Sequence, residues 1–160
     1  SSTSRGLGDV YKRQINIRYL NLDIGLGTFK PISTEYVEDY DIHSEDYEIN
    51  EATYHEIIAK KKIGYNIVCV GTTTLRTLEH VNNTFTFKWK TNLFITKGFK
   101  FNVADYLITN FHAPKSSLLS IVQAIYGDSW KQLYAFALEN NMKFLSFGDA
   151  VMFKIKNNGI

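Results

Sequence analysis

The feature that most constrains the fold is a strand that breaks into polar residues and restarts as a helix, and it occurs twice. In its fuller form, residues 107–116 read Leu-Ile-Thr-Asn-Phe-His-Ala-Pro-Lys-Ser. An apolar strand passes through Thr109, Asn110 and His112, Pro114 breaks the path, and Lys115 and Ser116 open a strongly periodic helix. Residues 65–76 follow the same plan: an apolar strand breaks at Gly71 into Thr72, Thr73 and Thr74, and Arg76 sits one turn into the next helix. Leu75, Leu78 and Val81 mark that helix's inner stripe. Strands alternating with helices predict an α/β fold: a layered domain with a central, largely parallel or mixed sheet flanked by helices.

Open α/β sheets place ligands at strand ends, and helix N-termini favour anions and ribose hydroxyls. Both junctions are therefore candidate sites, and each also has a plainer reading. The first can be an Asn turn with a Ser cap, the second a threonine cap followed by a surface arginine.

At 160 residues the chain is the size of one domain and long enough to bury a core. A hydrophobic content of 44% argues against overall disorder, and a net charge of +2 does not announce nucleic-acid binding by bulk electrostatics. Cys69 rules out an internal disulfide and reads as a small buried hydrophobe of an intracellular protein. No apolar run approaches the ~20 residues needed to cross a bilayer, so a soluble chain is expected.

Residues 1–14 carry neither helical nor strand period and read as a disordered or foreign leader. Alternating apolar residues from Ile15 to Ile24 predict a strand, which ends in Gly25-Leu26-Gly27-Thr28-Phe29. Gly25 and Gly27 permit either an ordinary tight turn or a close backbone approach to a ligand. Residues 36–47 are acidic, and within them His43 and Glu45 share one side of an extended strand, where they can exchange protons. A metal there lacks further ligands at useful spacing.

A helix is expected over 51–62, with Asn50 as its cap, Tyr54, Ile57 and Ile58 buried, and Lys60, Lys61 and Lys62 at its negative end. Residues 85–90 and 93–95 read as a strand pair or edge extension. Lys97, Phe99, Lys100 and Phe101 suit either a nucleic acid or a half-buried strand with snorkelling lysines. Two amphipathic helices follow, the second capped by Asp128, with Trp130, Leu133, Tyr134, Ala137 and Leu138 inward. A last turn and strand surround Gly148 and Asp149.

Five pieces in order resemble one family, the S-adenosylmethionine:tRNA ribosyltransferase-isomerases of queuosine biosynthesis. They are residues 25–29 (Gly-Leu-Gly-Thr-Phe), 43–45 (His-Ser-Glu), 70–79 (Val-Gly-Thr-Thr-Thr-Leu-Arg-Thr-Leu-Glu), 107–119, and 144–150 (Phe-Leu-Ser-Phe-Gly-Asp-Ala). The resemblance covers residues 15–160 and about the C-terminal half of a family chain. It implies an α/β domain incomplete at its N-terminal side, without the family's inserted β-barrel domain. Asp23 stands where the family commonly has histidine, and Asn92 where aspartate is usual.

The resemblance implies that the ribosyl part of S-adenosylmethionine, consumed as a donor, is moved onto the aminomethyl-deazaguanine wobble base of a tRNA. It rearranges to an epoxycyclopentanediol while adenine and methionine leave. A cytoplasmic protein, monomeric at full length and needing no metal, is expected, or else a non-catalytic nucleotide- or RNA-binding fragment of such an enzyme. A base must face the C–H beside the sulfonium, and a proton donor would help adenine depart. His43, Glu45 and His112 are the expected acid/base groups. Gly25, Gly27, Thr72, Thr73, Thr74, Arg76, Asn110, Lys115, Ser116 and Asp149 are the expected binding residues, with turn capping the alternative at Asp149. Alanine at Arg76 or His112 is expected to abolish turnover and leave the fold intact.

Overall fold

The computed structural model describes residues 15–23, 31–34 and 44–156. The leader, Gly25, Gly27 and His43 lie outside the described residues. The elements run β1 (Asn21–Asp23), β2 (Glu45–Glu48), α1 (Glu51–Lys62), β3 (Val68–Val70), α2 (Thr72–Thr84), β4 (Lys88–Thr91), β5 (Tyr106–Asn110), α3 (Ser117–Tyr126), a 3-10 turn (Gly127–Ser129), α4 (Trp130–Glu139) and β6 (Ala150–Lys154).

The fold is mixed α/β, as expected, and among the described residues its strands form two small sheets flanked by helices. One is antiparallel, in the order β1-β2-β4. The other has the order β3-β5-β6, with β3 parallel and β6 antiparallel to β5. Among the described residues of the anticipated first strand, Asn21–Asp23 pair, while Ile15, Ile17 and Tyr19 are exposed in irregular chain. Residues 92–96 form no strand, and Ile95 turns into the core.

Helix α1 starts where its cap predicts: the Asn50 side chain accepts from the Thr53 N–H, which contributes about 1 kcal/mol at such a position. Tyr54 is buried, and Lys61 at the far end pairs with Asp105 at 2.9 Å. In α2, Leu75, Leu78 and Val81 are almost wholly buried, each worth about 1.5–3 kcal/mol relative to exposure. They join Tyr47, Cys69, Leu107, Phe101 and Ile121 in a core that both sheets share. Phe111, Leu119, Val122, Tyr134, Ala137 and Phe153 form a second cluster under α3, α4 and β6.

Glu79 fixes the segment that enters β5. Its carboxylate is buried and accepts the backbone N–H groups of Asn102, Val103 and Ala104, each at 3.0 Å. Burial raises its pKa, and those three hydrogen bonds oppose the rise. At α4, Asp128 does not cap the helix. Its carboxylate binds Lys97 at 3.1 Å and Gln123 at 3.4 Å, and Leu138 is exposed. Phe101 is core, Phe99 packs edge-on against it, Lys97 pairs with Asp128 and Lys100 is exposed; this stretch is turn and irregular chain where a half-buried strand was one of the two readings.

Candidate functional site

Parallel pairing of β3 with β5 brings the two strand–helix junctions side by side. A cleft of about 360 Å³ opens there, at the carboxyl ends of both strands. Gly71, Thr72 and Thr73 form one wall, Thr109, Asn110, His112, Ala113 and Ser116 the floor and far wall, and Leu118, Leu145 and Ser146 the rim. A larger concavity, about 780 Å³, lies over the β1-β2-β4 sheet. Its charged groups lie across the strands, Asp46 between Asp23 and Lys90 and Glu48 opposite Lys88.

The α2 wall is built to receive hydrogen-bond acceptors. Gly71 precedes the helix with φ 89°, a conformation that suits glycine, and its N–H is held by the Ile108 carbonyl at 2.8 Å. No side chain caps α2, so its first-turn N–H groups and positive dipole end face the cleft beside the Thr72 and Thr73 hydroxyls. Thr74 is not part of this wall. Its hydroxyl donates to the Val70 carbonyl at 2.8 Å.

On the floor, His112 is 9% exposed and its Nε2 lies 3.0 Å from the Thr109 hydroxyl. Its backbone N–H donates to the Tyr134 hydroxyl at 3.0 Å, and Tyr134 is wedged among Phe111, Trp130 and Phe144. Burial pulls the imidazole pKa down to about 4. At neutral pH the ring is uncharged: it can donate an N–H hydrogen bond or accept a proton, and it does not enter the cleft as an imidazolium.

Other anticipated residues turn out to be committed elsewhere. Glu45 and Arg76 do not reach the cleft: they are buried against each other at 2.5 Å, and Arg76 Nε donates to the Leu93 carbonyl at 3.1 Å. Asn110 donates to the carbonyls of Gly148 and Asp149, both at 3.2 Å. Asp149 caps the Lys143 N–H at 2.8 Å, the turn-capping alternative. The Ser116 hydroxyl caps α3 through the Leu119 N–H at 3.1 Å and donates to the Ala113 carbonyl at 2.8 Å. Lys115 is exposed, with φ 56°, in the loop that forms the far wall. The sequence places Thr109 in the candidate stretch without a role of its own, and it gives no signal for Leu145 and Ser146 as lining residues.

An α/β cleft at parallel strand ends, with open helix N–H groups, hydroxyls and a neutral imidazole, has the chemistry to receive an anionic or hydroxyl-bearing ligand. Comparison with known proteins makes the assignment particular. Residues 3–153 match the family model described as queuosine biosynthesis protein, and the chain belongs to that family. The matched range includes residues 3–14, which the sequence reading set apart.

Among its relatives, the S-adenosylmethionine:tRNA ribosyltransferase-isomerase of Clostridium kluyveri is 39% identical over 158 residues, 95% of this chain and 46% of the relative. That of Finegoldia magna is 41% identical over 156 residues, 93% of this chain and 45% of the relative. The crystal structure of S-adenosylmethionine tRNA ribosyltransferase from Thermotoga maritima superimposes with a TM-score of 0.64 at 38% identity, covering 68% of this chain and 40% of that one. The chain thus spans about half the length of the curated relatives it matches. No helix among the described residues is long and apolar enough to cross a membrane, and none of their His, Cys, Asp and Glu side chains form a metal-holding group of three.

Proposed function

We propose that this chain is the part of a ribosyltransferase-isomerase that binds S-adenosylmethionine beside a tRNA wobble base. The whole enzyme transfers and isomerises the ribosyl group onto the aminomethyl-deazaguanine of that base, with loss of adenine and methionine and formation of epoxyqueuosine. A cytoplasmic location follows from such a substrate. The observation that carries this reading is the cleft itself, where a neutral His112 and the uncapped start of α2 share one space.

In this reading Thr72, Thr73 and the free N–H groups of α2 hold the methionine carboxylate, a ribose hydroxyl or an RNA phosphate. Lys115 adds a positive charge at the edge. His112, uncharged and hydrogen-bonded to Thr109, is in this reading the base for the activated C–H beside the sulfonium. Glu45 and Arg76 support the wall from behind through their buried pair.

A second reading has its own support: the chain alone binds without turnover. His112 is the one titratable side chain lining the cleft among the described residues, whereas the reaction needs both a base and a proton donor for adenine. The test is adenine release from S-adenosylmethionine, with and without tRNA bearing the aminomethyl-deazaguanine. Release that depends on the modified tRNA supports the catalytic reading. Saturable binding without release supports the second reading, and neither binding nor release removes the cleft assignment.

A further inference from the structure

Phe147 is fully exposed, at 101%, on a turn that the surrounding chain holds in one shape. Leu145, one of the described non-glycine residues with positive φ, sits at 68° and donates its N–H to the Phe111 carbonyl at 2.9 Å. Gly148 donates to the Leu145 carbonyl at 2.9 Å, and a Cβ on Gly148 would lie 2.4 Å from the Lys143 carbonyl oxygen. The Asn110 amide and the Asp149 carboxylate fasten the two ends. Backbone strain that the surroundings over-determine in this way gathers at functional positions.

Packing explains Phe144 but not Phe147. Phe144 is half-buried against Phe111 and Tyr134, with ring centroids 5.0 and 5.6 Å away. Phe147, three residues on, touches no ring. The two residues before it, Leu145 and Ser146, line the His112 cleft, and Asn110 ties the turn to the strand end that leads to His112. Tyr19, Phe85 and Trp89 are also exposed, but none of them lines or adjoins this cleft.

We propose that Phe147 is a stacking platform for a base of the RNA substrate, next to the nucleotide that enters the cleft. The proposal rests on the reading of the cleft given above. A ligand confined to 360 Å³ meets Leu145 and Ser146 first; a ring beyond the rim serves a ligand that runs out of the cleft. Splayed single-stranded RNA is held by such exposed aromatic faces, with cations nearby for the backbone. Lys143 at the foot of the turn and Lys115, in the loop between the lining residues Ala113 and Ser116, are both exposed. This arrangement binds RNA locally, which a chain of net charge +2 requires.

The test is fluorescence anisotropy of a labelled RNA hairpin of the anticodon-arm type, with guanine at the wobble position, against this chain and its Phe147→Ala, Phe147→Leu and Phe147→Trp variants. Phe147→Ala is expected to bind about tenfold more weakly, Phe147→Leu to match it, and Phe147→Trp to stay within about twofold of the parent. All three should melt with the parent, because the side chain packs against nothing. Equal affinity for parent and Phe147→Ala overturns the platform and leaves the reading of the cleft standing. Restoration by leucine overturns stacking, and a loss seen in S-adenosylmethionine affinity rather than RNA affinity overturns the assignment to RNA. A parent chain that binds no hairpin overturns both.

Discussion

Arg76 Nη1 donates to Glu45 Oε2 across 2.5 Å, joining α2 to β2 with both side chains at most 2% exposed. The pair binds residues 31 positions apart, and Arg76 Nη2 has no hydrogen-bond partner. Removing Glu45 leaves the buried Arg76 guanidinium without its carboxylate, and removing Arg76 breaks the link between α2 and β2; losing one member of such a buried pair destabilises by about 3–5 kcal/mol. Arg76→Ala and Glu45→Ala should therefore each lower the urea midpoint sharply. The expectation that alanine at Arg76 spares the fold is thereby revised: its loss of function follows its loss of structure. A midpoint equal to that of the parent would contradict this.

His112 supplies a pH signature. Its pKa is lowered by burial to about 4 in the folded chain, against about 6.5 when unfolded. Between these values the unfolded state binds more protons, so stability rises with pH across that window and falls as pH drops from 6.5 toward 4. The full effect is roughly 3 kcal/mol. The His112 ring proton in an NMR titration should show a midpoint near 4, and His112→Asn should flatten the dependence of unfolding free energy on pH. A ring that titrates near 6.5 would mean that it is solvated and free to act as an imidazolium.

Glu79 lies in the same motif as Arg76, and its task is structural. Alanine there leaves three backbone N–H groups without their acceptor, at about 1–3 kcal/mol for each that stays buried. Glu79→Ala should prevent stable folding or lower the midpoint more than Glu79→Gln, which keeps one acceptor oxygen. Hydrogen exchange of the Val103 and Ala104 amides reads the same change locally, and unchanged protection in Glu79→Ala would exclude the bracket.

Local signals in the sequence were legible where the physics is local. The Asn50 cap, the Leu75, Leu78 and Val81 stripe, and the Ser116 cap before α3 all stand where periodicity and capping chemistry put them. Pairings made across the chain were not. Arg76 one turn into a helix reads equally as an anion ligand or a surface charge, and only the position of β2 buries it against Glu45. The alternation of Ile15, Ile17 and Tyr19 carries a strand's period, yet β1 pairs only from Asn21, because a period does not create a partner. At the site, the two junctions were visible singly; their meeting depends on β3 lying parallel to β5. The hydrogen bonds that Asn110 and Asp149 make to the turn at residues 143–149 have no local signal, because their partners lie elsewhere in the chain or across the turn.

The turn that carries Phe147 can be tested from both of its ends. At Gly148 a Cβ would lie 2.4 Å from the Lys143 carbonyl oxygen, the acceptor of the Asp149 N–H at 2.8 Å. The clash is with backbone, so no rotamer change relieves it, and the two strands of the turn must separate. Gly148→Ala should destabilise by about 1–3 kcal/mol. It should also weaken any ligand of the His112 cleft, because Leu145 and Ser146 move with the turn. Asp149→Asn keeps an acceptor for the Lys143 N–H, whereas Asp149→Ala removes it. If capping is the residue's task, asparagine should hold stability and turnover near the parent values while alanine loses about 1 kcal/mol. Turnover lost in Asp149→Asn with an unchanged melting temperature would return that carboxylate to the chemistry.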